Sequence, residues 1–159
     1  VRTGLRGIFQ RLQAGHALAE HLPGGRDVAL AVHPPAPQRE RIEAQLLRDR
    51  TGEDMTTLAK RVDALIITRG AQGSVIMTGG REIAIPAARA DAVVDPTGCG
   101  DAYRAGLIYG LMQGLDWETT GRIASLLGAL KIAHAGTQNH RFTAGEFAAR
   151  FRAAFGRAI

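Results

Sequence analysis

Apolar and polar positions alternate with a readable period from residue 38 onward. Gln38 to Arg50 repeats apolar residues at helical spacing among charges and predicts an amphipathic helix, and Met55 to Arg61 predicts another. Ala64 to Thr68 is a continuous apolar run of strand length. Ser74 to Thr78 and Arg81 to Ile85 flank Gly79-Gly80 and predict a hairpin. Ala92-Val93-Val94 predicts a short strand, Pro96 and Gly98 bend the chain, and Cys99 to Leu115 returns to helical spacing. Asp116 is placed to cap a long helix from Trp117 to His134, and Thr143 with Glu146 forms a capping box for a last helix ending at Phe155. Upstream, Asp27 to His33 predicts a strand that Pro34, Pro35 and Pro37 terminate. Strands alternating with helices predict an α/β sandwich with a mainly parallel sheet and a ligand crevice at the strand ends.

Composition narrows the class. The 159 residues suit one domain, and 45% apolar content is enough for a packed core. Apolar runs fall far short of a membrane span, no charged-then-apolar leader opens the sequence, and Cys99 is the only thiol. The expectation is a soluble cytoplasmic protein with no membrane partner. The net charge of +5 favours an anionic ligand. Its cations are scattered, which argues against a nucleic-acid surface.

The chemistry concentrates in Asp95-Pro96-Thr97-Gly98-Cys99-Gly100-Asp101-Ala102-Tyr103-Arg104-Ala105-Gly106. A small-residue turn here opens a helix, so the N–H groups of Gly98, Cys99 and Gly100 lack intrahelical partners and lie at the positive end of the helix dipole. That is a phosphate-attracting arrangement. A carboxylate beside bound phosphate would be repelled, so Asp101 in the first turn implies a second task, taking the proton from an attacking hydroxyl.

The run resembles the C-terminal signature of the PfkB family, the ribokinase-like sugar and nucleoside kinases, usually written D-T-x-G-A-G-D. Cys99 stands where Ala or Gly is usual, and its small side chain suits the turn. Asp63-Ala64-Leu65-Ile66-Ile67-Thr68-Arg69-Gly70-Ala71-Gln72-Gly73-Ser74 resembles the family's T-x-G-x-x-G segment. The resemblance sets Thr68, Gly70 and Gly73 along the nucleotide phosphates. The apolar helix and polar loop from Ala124 to His140 are similar to those that close the family's adenine pocket, which makes Gly136 and Asn139 nucleotide-binding candidates. By the same resemblance Asp95 and Thr97, with carbonyls near Gly136, hold a monovalent cation, K+, that braces the anion-binding turn. His134 and His140 are not expected to bind metal, because their spacing across a glycine does not face the two rings together.

One block departs from the pattern. The family's N-x-x-E, whose Glu acts on Mg²⁺ through water, aligns its Glu with Glu43, but Glu40 occupies the Asn position. Residues 1–41 resemble nothing in the family, and the expectation for them is either an extra α/β unit or, as favoured, sequence translated out of frame. Residues 42–159 are identified as the C-terminal, nucleotide-binding part of a ribokinase-like αβα sandwich. The implied activity is transfer of the γ-phosphate of ATP, with Mg²⁺, to a hydroxyl of adenosine or a ribose-like sugar. The alternative is a truncated, non-catalytic nucleotide-binding module.

Overall fold

A computed structural model describes residues 17–22, 26–31 and 52–159. The chain divides into two units, residues 1–84 and 85–159.

The first unit carries a five-stranded sheet in the order β1-β2-β3-β4-β5. β1 is Ala17–Leu22, β2 Arg26–Ala31, β3 Ala64–Thr68, β4 Ser74–Thr78 and β5 Arg81–Ile85. Among the described strands β2 and β3 pair in parallel, with Val28 opposite Ala64 and Ala31 opposite Ile67. β1–β2 and β3–β4 are antiparallel, so the expected mainly parallel sheet is met at one pairing. Connection length is the reason: three residues separate β1 from β2 and five separate β3 from β4, whereas a parallel return needs a crossover of a dozen or more. The long stretch between β2 and β3 allows one. β3 is buried almost throughout, with Ala64, Leu65 and Ile66 at 0–1% exposure, as a central strand's continuous apolar run demands. Helix α1, Met55–Ala59, starts where Asp54 accepts from the Thr57 N–H at 2.7 Å and buries Leu58. It is shorter than the predicted Met55 to Arg61. The strand β1 was not foreseen, and the predicted helix over residues 38–50 lies outside the described residues.

The second unit is three helices. α2 is Cys99–Met112, α3 Trp117–Ile132 and α4 Ala144–Phe155. α2 and α3 form an antiparallel hairpin whose contact line runs through glycines. A Cβ built on Gly106 would come within 2.5 Å of the Ala124 Cα, and one on Gly110 within 2.5 Å of the Thr120 Oγ1. α2 stops three residues before the predicted Leu115, because Gly114 takes a φ of 68° and closes a Schellman turn. Leu115 N–H reaches Gly110 O at 2.9 Å and Gly114 N–H reaches Leu111 O at 3.1 Å. Asp116 caps α3, accepting from the Thr119 N–H at 2.9 Å. The Thr143–Glu146 capping box opens α4 as expected. Ile123, Leu126 and Leu130 of α3 pack with Phe151 of α4, and Phe147, Phe155 and Leu115 close the edge of that core.

The predicted strand at residues 92–94 does not form. The Val94 and Asp95 N–H groups both donate to Ile132 O, at 2.9 and 3.1 Å, so the backbone is tied to the end of α3, and Val93 and Val94 stay 79% and 55% exposed.

Candidate active site

The turn before α2 is built by its own sequence. Cys99 N–H donates to Pro96 O at 3.2 Å, closing a four-residue turn. Gly98, at its third position, has φ 83° and ψ 1°, the type II geometry that favours glycine there. This corrects the expectation of three open donors, since the turn itself uses the Cys99 N–H. Among the described residues the N–H groups of Gly98, Gly100 and Asp101 have no protein acceptor. They stand at the positive end of a fourteen-residue helix. Burial pushes the Cys99 thiol up from its ordinary value, which makes it a poor nucleophile and a small packing group.

Asp101 projects from the first turn of α2 with its side chain 76% exposed. Arg104, one turn along, brings Nη1 to 3.2 Å from its Oδ1. The Arg104 side chain is only 25% exposed, but the Asp101 end of the pair lies in water, so the carboxylate remains available to a ligand.

Asp95 is the joint of the site. Its Oδ1 accepts from the Thr97 N–H at 2.9 Å and its Oδ2 from the Gly136 N–H at 2.9 Å. Hydrogen bonds from Thr97 foremost, then from Gly136, lower its carboxyl to about 2. The loop after α3 is thereby tied to the turn before α2. A Cβ on Gly98 would stand 3.3 Å from Thr137 Cα, so the contact is close as well as bonded. Gly136 has φ 78°, and Asn139 Nδ2 folds back to donate to Ala135 O at 2.9 Å.

These bonds also bear on the expected monovalent-cation site. Both Asp95 carboxylate oxygens accept N–H donors, and the Ala135 carbonyl accepts Asn139. The Asp95 and His134 carbonyls accept from the Lys131 ammonium at 2.7 and 3.1 Å. At the Asp95 and His134 carbonyls an ammonium thus stands where K+ was expected, and a second cation there would meet a like charge. Lys131 went unrecognised because it sits in an apolar helical run, Ala129-Leu130-Lys131-Ile132-Ala133. The one signal available was a lone ammonium on a face otherwise destined for burial.

His134 Nδ1 lies 2.9 Å from Leu130 O and His140 stacks on Phe142, so each ring has a local role. Among the described residues no three His, Cys, Asp or Glu side chains converge on a metal position. In nucleotide enzymes Mg²⁺ is commonly held by one or two carboxylates together with substrate phosphates. Glu43, the one residue expected to act on it, lies outside the described residues.

Thr68, Gly70 and Gly73 lie in the other unit. Thr68 is buried at the end of β3, and a short 3₁₀ turn over Gly70–Gln72 leads into β4. Gly70 and Gly73 have φ of 55° and 87°, and Arg69 N–H meets Gly73 O at 2.7 Å. The glycines are thus required by the backbone of this turn.

Comparison with known proteins agrees with the motifs. A nucleoside kinase of Methanocaldococcus jannaschii is 43% identical over 81 residues, which cover 51% of this chain and 27% of that protein. The solved nucleoside kinase of Burkholderia thailandensis, in complex with ADP-inosine, matches with a TM-score of 0.71 at 54% identity, over 74% of this chain and 37% of that one. The solved structure of the M. jannaschii enzyme, described as an archaeal member of the ribokinase family, matches with a TM-score of 0.67 at 34% identity, over 71% and 38% of the two chains. The chain thus spans well under half the length of these relatives, and its α/β fold is ribokinase-like. Residues 40–143 match the pfkB family of carbohydrate kinases, and the chain belongs to that family.

Proposed function

We propose that residues 42–159 are the nucleotide-binding part of an ATP-dependent kinase that phosphorylates a hydroxyl of adenosine or a related ribose-bearing substrate. The observation that carries this reading is the first turn of α2, where open amides and an exposed carboxylate share one helix terminus. The Gly98 and Gly100 N–H groups, with that of Asp101, bind the transferring phosphoryl group, and Cys99 joins them when its turn bond to Pro96 is shared. Asp101 accepts the proton of the attacking hydroxyl, which meets the γ-phosphorus in line. Asp95 holds the turn against Gly136, with Gly136 and Asn139 the nucleotide-binding candidates of this unit, while Thr68, Gly70 and Gly73 are those of the other unit, taken by itself. Mg²⁺, when bound, neutralises charge on the phosphates.

A nucleoside substrate is supported by the relatives, two of which are named nucleoside kinases, one of them holding ADP-inosine. The share of those proteins that the chain spans favours a second reading for the chain by itself, a nucleotide-binding module without turnover. An ADP-release assay against adenosine, inosine, ribose and fructose, run beside calorimetric titration with ATP, separates the two. Turnover with a nucleoside supports the kinase, ATP binding without turnover supports the module, and no ATP binding removes both.

A further inference from the structure

We propose that Lys131 is a tethered cation: its ammonium replaces a bound monovalent ion beneath the anion-binding turn, so that the turn keeps its shape without K+. Lys131 lies in the last turn of α3 and has no exposed surface. Its Nζ donates to Asp95 O at 2.7 Å and to His134 O at 3.1 Å, two carbonyls that belong to the two segments joined by the Asp95 carboxylate. An ammonium offers three hydrogen-bond donors and a full positive charge at one point, which is what carbonyl oxygens ask of an alkali ion.

Simple capping of α3 would not need this geometry. A lysine serving only its own helix end can snorkel and keep its charge in water. Here the charge is withdrawn from solvent, which is costly unless it is bonded in place, and one bond reaches 36 positions back to Asp95. A second cation beside it would meet a like charge. At about 4 Å and an effective dielectric of about 20, that repulsion lowers cation affinity by about a thousandfold. The lysine both supplies the charge and excludes its competitor.

The test compares the wild-type chain with Lys131→Met in KCl, NaCl and tetramethylammonium chloride at one ionic strength, reading the thermal unfolding midpoint and the affinity for ATP. The wild type is expected to give the same midpoint in all three salts and ATP affinities within about twofold of one another. Lys131→Met is expected to bind ATP about tenfold more weakly and to recover in a saturable way with K+. A saturable K+ response of the wild type in either readout overturns the proposal, as does a variant that binds ATP like the wild type and ignores K+. Should the variant fail to fold, the wild-type salt comparison decides alone. The ATP arm rests on the function proposed above and the melting arm does not: absence of ATP binding in every salt counts against that function, while the unfolding midpoints still judge Lys131.

Discussion

The carboxylate of Asp95 and the amide N–H of Gly136 are joined by a 2.9 Å hydrogen bond across 41 positions of sequence. Because the other carboxylate oxygen holds Thr97 N–H at 2.9 Å, one side chain sets the spacing between the turn that opens α2 and the loop that follows α3. Asp95→Ala removes both bonds at once. Its expected effect is a loss of ATP affinity of roughly tenfold, the worth of one or two charge-assisted hydrogen bonds. Titration calorimetry measures it, and undiminished affinity would show that the turn holds its shape without the clamp.

The same carboxyl sets an acid limit. Its folded value of about 2 lies below the ordinary 3.8, lowered by hydrogen bonds from Thr97 and Gly136. A depressed carboxyl contributes stability that is complete above its unfolded value and is lost as pH falls through the folded one. The contribution of Asp95 is therefore expected to disappear between about pH 4 and pH 2. Asp91, Asp116 and Glu146 are also lowered, by Arg150, Thr119 and Thr143 respectively, so the wild-type acid curve is a composite. The difference between wild type and Asp95→Asn, followed by circular dichroism, isolates Asp95; curves that stay parallel through that window contradict the assignment.

Gly106→Ala is expected to destabilise the helical hairpin. The added methyl would stand 2.5 Å from Ala124 Cα and 2.8 Å from Ala124 N, backbone atoms that cannot rotate away. Overpacking of that kind costs about 1–3 kcal/mol or more, which outweighs the roughly 1 kcal/mol by which Ala is the better helix former. Gly145→Ala, where nothing lies within 4 Å, is the control and is expected to be neutral or stabilising. Urea unfolding of the pair checks both, and a Gly106 variant as stable as the control would mean that α2 and α3 are further apart than described.

Asp101→Asn tests the chemistry in a full-length, active kinase that carries this segment. Loss of a positioned base lowers turnover by roughly two to four decades. ATP affinity is expected to hold, because the amide is nearly the same size and the open N–H groups of the turn are untouched. Wild-type turnover in this variant would remove Asp101 from the base role.

Much of this was legible one-dimensionally because its cause is local. β3, β4 and β5 fall where strand-length apolar runs and the Gly79-Gly80 turn place them, and the Asp116 and Thr143 caps use side chains within three residues of the N–H they satisfy. The turn at Pro96 to Gly100 was readable for the same reason, since its glycine is needed by its own backbone. The strand expected at Ala92 to Val94 failed because such a run specifies only that it can pair, and the carbonyl that took its amides belongs to Ile132.

The capped starts of α1, α3 and α4, the glycine turn before α2 and the carboxylate beside it could be read from the residues alone, since each depends on neighbours a few positions away. What stands behind that turn follows from long-range packing instead. The Asp95 to Gly136 bond spans 41 positions and the bond from buried Lys131 to the Asp95 carbonyl spans 36. A lysine in an apolar run has the same spelling whether its ammonium reaches water or replaces an ion; packing against the preceding turn settles which, by removing the water.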